Sequence, residues 1–150
     1  LITTAKVNHK WEYIHDKIGY NLRLPSLNAA LGIAQIKKIN KFLKSKRKLF
    51  FEYSKIFKNI NGVKIFKEKK NSRSNYWLQT LIFEKNFNHI KNKLIKAGYQ
   101  KKIYMRPVWR LISELKPYRN CQKMDLSGAK NIYKNVINLP SSSKLLKNTH

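Results

Sequence analysis

The chain has 150 residues, the length of one ordinary domain, and its 42% hydrophobic and 12% aromatic content is enough for a real core. Leu, Ile, Phe, Tyr and Trp are spread along the whole chain, which argues against disorder, and no stretch approaches the roughly 18 apolar residues of a membrane span. With 33 basic and 7 acidic residues the formal charge is +26, which raises a nucleic-acid or anionic-surface partner.

Two features weaken that partner. Of the basic residues 27 are Lys and 6 are Arg, whereas base readout and bidentate phosphate recognition favour Arg. Lys, Asn and Ile make up 59 of the 150 residues. All three are encoded by A/T-rich codons, so compositional drift gives the same excess without selection for binding. The lysines are also scattered over every predicted element. The single cysteine, Cys121, excludes an internal disulfide framework and a cysteine-rich zinc site, and it leans towards the cytoplasm. The start, Leu1-Ile2-Thr3-Thr4, shows no signal-peptide pattern and no initiator Met. That start is expected of a chain cut from something longer.

In chain order, residues 1–25 hold Gly19, Pro25 and several aromatics without a sustained period, and read as an extended or looping segment. Ser26 is placed to cap the helix that follows. From there to about Asn59 the apolar residues Ile36, Ile39, Leu43, Phe50, Tyr53 and Phe57 recur at helical steps. The front half, Leu27 to Ala34, is apolar almost all round and is expected to be buried on more than one side. Its back half is lysine-rich on the outer face, and so long a helix is expected to connect two bodies.

Asn61-Gly62 is a turn, and Val63 to Phe66 a short strand. Glu68 to Asn75 reads as an exposed loop. Tyr76 to Phe83 is the strongest strand pattern in the chain. Phe87, Ile90, Leu94 and Ile95 make a helix that Gly98 is suited to end. Ile103 to Val108 is a further strand stopped near Pro107, and Trp109 to Leu115 a helical turn. Asp125 is placed to cap a last helix, before a final strand Val136 to Leu139. The order predicts an α/β fold: a small sheet packed with helices and a long helix running out of it.

Glycine-rich phosphate loops and the GxSxG elbow are absent. The histidines do not fall at metal-ligand spacing, and no metal site is expected. His15-Asp16 is a candidate acid/base pair, but neighbours in sequence do not face each other on regular structure, which favours a surface or packing role. Two segments carry more chemistry. Gly19-Tyr20-Asn21-Leu22-Arg23 sets amide and guanidinium donors just before a helix, suiting a phosphate or carboxylate ligand; the alternative is a loop whose Asn21 and Arg23 satisfy buried backbone groups. Tyr104-Met105-Arg106-Pro107-Val108-Trp109 can hold an anionic or sugar-like ligand by charge and stacking. Its alternative is an arginine stem packed beside a core tryptophan.

The run Gly19 to Gln35, Gly-Tyr-Asn-Leu-Arg-Leu-Pro-Ser-Leu-Asn-Ala-Ala-Leu-Gly-Ile-Ala-Gln, resembles a signature of the DegT/StrS family of PLP-dependent nucleotide-sugar aminotransferases. The resemblance extends over Thr3 to Val7, His9 to Glu12, Asn75 to Leu78, Arg106 to Trp109, Asp125 to Ser127 and Asn138 to Ser142. It covers nearly the whole chain in order. The flanking motifs look most like the branch that installs a 4-amino group on UDP- or GDP-linked deoxysugars for legionaminic-acid-type sugars.

The resemblance implies the C-terminal small domain of a fold-type I aminotransferase. Residues 1–25 would be an active-site and dimer loop from the end of the large domain, 26–60 a long connecting helix, and 61–150 a small α/β domain. It implies a homodimer with shared sites and the cofactor pyridoxal 5'-phosphate. Asn21 would reach the cofactor phosphate of the neighbouring subunit, Arg23 would lie near that site, and Arg106, Trp109 and His15 would line the substrate side. The Schiff-base lysine and the aspartate partner of the pyridine nitrogen lie upstream of Leu1 in this family, so no catalytic residue is expected in this chain and it is expected to be inactive alone. The implied reaction moves an amino group from an amino acid, glutamate by expectation, to a 4-keto nucleotide sugar for surface-polysaccharide or nonulosonate synthesis. It would run in the cytoplasm, with no specific nucleic acid and no membrane. Two other readings stand beside it: a basic nucleic-acid-binding module, and an inactive truncated remnant of the enzyme.

Overall fold

A computed structural model of the chain describes residues 6–7, 10–12, 14–15, 17–19 and 24–146. Ten elements matter. A two-residue ribbon pairs β1 (Lys6–Val7) with β2 (Ile14–His15). Helices α1 (Ser26–Ile36) and α2 (Ile39–Phe57) follow, then strands β3 (Val63–Ile65) and β4 (Gln79–Phe83). Next come α3 (Ile90–Gln100), β5 (Arg106–Pro107), α4 (Ser127–Asn135) and β6 (Val136–Leu139).

The sheet runs β3-β4-β6-β5 and is antiparallel throughout. Strand β4 alternates as a strand with one buried face should: Gln79, Leu81 and Phe83 are buried, Thr80 and Ile82 half-buried. Central β6 is buried at all four positions, as expected of a strand covered on both faces. Register sets Leu81 opposite Ile137, two of the most completely buried side chains. Around them Phe83, Ile95, Met105 and Leu139 close the core, with Tyr53 and Phe57 of α2 and Leu94 of α3 packed against it. Burial of such side chains, at about 25 cal/mol per Å² of apolar surface, is what holds the sheet to its helices.

The α/β architecture is the one the pattern of elements predicts, and several details differ. The single helix expected over 26–60 divides at Lys37 and Lys38. The break separates an apolar helix with no buried residue from an amphipathic one anchored through Leu49 and Phe50. The burial expected for the front half is not found: Leu27, Leu31, Ile33 and Ile36 of α1 are each at least 60% exposed. Helical periodicity identifies an apolar surface, but burial depends on what lies against it. Ser26 makes no capping bond either; Pro25 holds the cap position and its carbonyl accepts from the Ala29 N–H at 3.0 Å.

Gly98 does not end its helix. Helix α3 continues to Gln100, and the chain turns at Lys102, which takes φ 59°. A Cβ on Gly98 would stand 2.3 Å from Met105 Cε and 2.8 Å from the Ile103 carbonyl oxygen. The glycine is there for close approach. The strand expected from Tyr76 starts at Gln79, because Tyr76 takes φ 46°. The strand expected over 103–108 shrinks to Arg106–Pro107, where proline removes a ladder donor. Asp125 does serve the last helix: its Oδ1 accepts from the Ser127 N–H at 3.0 Å, and its hydrogen bonds to Ser127 hold the carboxyl below its ordinary value.

Candidate functional site

Side chains at register partners in neighbouring strands share a face of the sheet. Arg106 partners Asn138, and Asn138 partners Thr80. These three therefore form a polar row on the face opposite Leu81 and Phe83. The Thr80 hydroxyl donates to Asn138 Oδ1 at 3.0 Å. Near this sheet stand two indoles. Trp77 and Trp109 are 64% and 50% exposed, with ring centroids 6.1 Å apart and planes tilted by 33°. Trp109, whose alternative reading is a core tryptophan, is too exposed to belong to the core. Its neighbour Trp77 was visible in the sequence only as part of a strand.

The position of Trp77 is set from α2. Lys46 Nζ donates to the Trp77 carbonyl at 2.8 Å and to the Ser141 carbonyl. The Ser141 hydroxyl accepts from the Gln79 N–H at 2.8 Å, and Gln79 Nε2 donates to the Lys46 carbonyl at 3.0 Å. Burial holds the Lys46 amine below the ordinary lysine value. Lys91 of α3 is held down the same way, and its Nζ donates to the Tyr133 carbonyl and lies 4.9 Å from that ring's centroid.

A second centre lies between α2 and the loop before β4. Arg47 grips Glu68 with two nitrogens, at 2.6 and 3.2 Å, and donates to the Ser74 carbonyl at 2.9 Å. Glu68 Oε2 also accepts from the Ser74 N–H at 2.6 Å. The bonds from Arg47 and then from Ser74 hold the Glu68 carboxyl below its ordinary value. Arg47 also sits 5.1 Å over the Tyr76 ring, which stacks on Phe50 at 4.2 Å. The result is a fixed loop and a cleft of about 440 Å³, lined in part by Lys44, Arg47, Arg73 and Asn75.

The chain start reaches a third region. Glu12 pairs with Arg110 at 3.4 Å, and Trp11 meets Tyr99 edge-on at 6.2 Å. His15 lies in the β1–β2 ribbon, half-buried and opposite Lys6, separate from the sheet that carries Arg106. Asn21 and Arg23 lie outside the described residues. Among the described residues no cluster of three metal-ligating side chains exists, and no helix is long and apolar enough to cross a membrane.

Residues 3–150 match the DegT/DnrJ/EryC1/StrS aminotransferase family. The chain belongs to that family.

Membership agrees with both curated relatives and solved structures. A GDP-perosamine synthase of Escherichia coli O157:H7 is 32% identical over 142 residues, covering 89% of this chain and 35% of that enzyme. The chain thus spans about a third of that relative's length. Helicobacter pylori PseC, an aminotransferase involved in the biosynthesis of pseudoaminic acid, superposes with a TM-score of 0.74 at 21% identity, over 95% of this chain and 39% of that one. An E. coli GDP-4-keto-6-deoxy-D-mannose-3-dehydratase with bound hydrated PLP superposes at 0.63 and 22% identity, over 83% and 33%. At such identities the superpositions speak for the fold.

By residue type the sequence singled out Arg106 and Trp109 and named Asn138 only within a resemblance motif; it did not single out Thr80, Lys46 or Glu68. Strand alternation could have set Thr80 apart from Leu81 and Phe83. Nothing in sequence marks Lys46 among 27 lysines.

Proposed function

We propose that this chain is the C-terminal part of a PLP-dependent aminotransferase that passes an amino group from glutamate to a 4-keto nucleotide sugar. The observation that carries the reading is the family match over residues 3–150. The GDP-perosamine synthase relative supports a nucleotide-linked sugar as the substrate.

The donor chemistry fits one part of such a site. Arg106 and the paired indoles suit a charged, partly planar ligand, by hydrogen bonding and by stacking. The same residues do not suit covalent anchoring of an aldehyde cofactor, which needs an accessible lysine amine of lowered basicity. Lys46 and Lys91 have the lowered basicity, but both spend Nζ on backbone carbonyls. The family resemblance implies that the anchoring lysine belongs to a large domain preceding this part. Pyridoxal phosphate, when bound, supplies an electron sink that the protein's own side chains lack. In this reading Asn21 reaches the cofactor phosphate across a homodimer interface with Arg23 near that site, while Arg106, Trp109 and His15 line the sugar-nucleotide side. The exposed Cys121 suits a reducing cytoplasm.

The test uses the whole protein that contains this chain, supplied with pyridoxal phosphate, glutamate and a UDP- or GDP-linked 4-keto-6-deoxyhexose. The expected result is the 4-amino sugar nucleotide and 2-oxoglutarate in equal amounts. Consumption of the ketone without consumption of glutamate would point to dehydration and overturn amino transfer.

A further inference from the structure

Compositional drift accounts for the number of lysines, but the fold decides which of them share a face. Of the 7 acidic residues none falls between Asp16 and Glu52, and none follows Asp125. Within the first of these acid-free stretches Lys41, Lys44 and Lys48 recur at steps of three and four. All three are exposed, so they form one stripe along α2. Phe51 is the next step of that stripe and is 53% exposed. At the helical rise, Lys41 to Phe51 spans about 15 Å. Among the described residues no carboxylate pairs with these lysines, since the ion pairs of α2 belong to Arg47 and Lys55. The segment after β6 closes one side of the stripe. Tyr53, Lys46 and Ser45 donate in turn to the carbonyls of Pro140, Ser141 and Ser143, which lays the segment against α2. It brings up Lys144 and leaves a groove of about 300 Å³, where Phe42 and Leu146 are surrounded by the four lysines.

We propose that this face docks on an anionic bilayer surface, with α2 lying along the headgroups. The lysine stripe and Lys144 stand among the lipid phosphates, and Phe51 reaches the boundary of the acyl region. Charge complementarity selects the partner: a face of ammonium groups with no carboxylate meets a surface of phosphates. Lysine suits that surface, because a point charge on a flexible stem follows mobile headgroups, whereas a fixed anion favours the guanidinium fork. Each lysine near such a surface adds its own attraction, so the four act together. An exposed ring beside the charges supplies the apolar contact of an interfacial helix. Other anionic partners fit less well. A single exposed ring gives successive nucleic-acid bases no platform to stack on. An extended peptide gains no ladder from the segment beside the groove, whose carbonyls at Pro140, Ser141 and Ser143 already accept from α2. The contact is peripheral, since no helix among the described residues is long and apolar enough to cross a membrane.

The test must separate one face from the attraction of any anion to a chain of charge +26. It uses the whole protein that contains this chain, so that the stripe is judged in its complete surroundings. Co-sedimentation is measured at about 150 mM salt, where the screening length is about 8 Å and diffuse attraction is weak. The probes are vesicles of phosphatidylcholine with phosphatidylglycerol, and vesicles of phosphatidylcholine alone. The protein should sediment with the first and stay in solution with the second. Changing Lys41, Lys44 and Lys48 together to Gln, which keeps helix propensity, should weaken binding at least tenfold. The single change Lys48→Gln should weaken it about threefold, and it carries the test if the triple variant fails to fold. Changing the exposed Lys93, Lys96 and Lys101 at α3 to Gln, an equal loss of charge, should alter binding less than about twofold. Phe51→Ser, which keeps every charge, should weaken it about threefold. Equal loss in the α3 variant, no loss in the α2 variants, equal binding to neutral vesicles, or no effect of Phe51→Ser would each overturn the proposal. So would binding of poly-glutamate or short duplex DNA that follows the α2 lysines without any binding to vesicles, which would hand the face to an acidic protein or to a nucleic acid.

Discussion

Glu68 shows how one residue organises a surface that its sequence context leaves plain. It sits in a polar run that reads as a solvated loop, yet it joins Arg47 of α2 to the Ser74 N–H. Its carboxyl is held below the ordinary value of 4.5, chiefly by the Arg47 hydrogen bond. The stability this provides is fully present above the unfolded carboxyl value and is lost as pH falls through the lower folded value. Urea denaturation from about pH 2 to 7 should therefore show Glu68→Gln less stable than the parent at neutral pH, with the gap closing in acid. A gap independent of pH would contradict the ion pair. Lys46 makes the complementary case. Replacing it by Met removes the donor to the part-buried Ser141 carbonyl, while water can replace it at the exposed Trp77 carbonyl, and should cost about 0.5–1.5 kcal/mol, read as a lower urea midpoint. No change would mean that the two carbonyls are satisfied otherwise. Neither residue was legible, because pairing across some twenty to ninety positions depends on packing and leaves no local mark.

At the scale of elements, the sequence pattern located the strands of the main sheet and the helices beside it, missed the β1–β2 ribbon, merged α1 with α2, and failed at several ends. Strand β6 was read at its full extent because its apolar run is bounded by Asn135 and Pro140. The end of α3 was misjudged because a helix-terminating glycine and a close-contact glycine look alike in sequence. Gly98→Ala would gain about 1 kcal/mol from helix propensity if space were free. Here the backbone oxygen of Ile103 stands in the way, so thermal denaturation should show a net loss of about 1–3 kcal/mol. A higher melting temperature would contradict the contact. Helix α1 presents a different case, an apolar pattern read as a buried helix whose cover this chain does not itself supply. Eleven residues without a buried side chain make a marginal helix in water. Amide hydrogen exchange of the 150-residue chain should find α1 nearly unprotected and α2, β4 and β6 strongly protected. Equal protection in α1 would show that something covers it.

For the whole molecule, the fold class came from the order of elements and the family resemblance from motifs spread along the chain; the family match runs over residues 3–150, and the fold is that of solved sugar aminotransferases. The +26 charge, the largest single number in the composition, carried less. It is spread over every element, and cationic side chains line more than one cleft. The candidate site was half legible: Arg106 and Trp109 stand out by residue type, whereas Thr80 and Asn138 join them only through register. The central claim is that this chain supplies contacts to substrate and cofactor while the anchoring lysine belongs elsewhere in the enzyme. The most direct test incubates the 150-residue chain with pyridoxal phosphate, reduces the mixture with borohydride, digests it and maps the label by mass spectrometry. The account predicts sparse labelling distributed over many exposed lysines, with none near stoichiometric. A single lysine carrying one equivalent of label would contradict it.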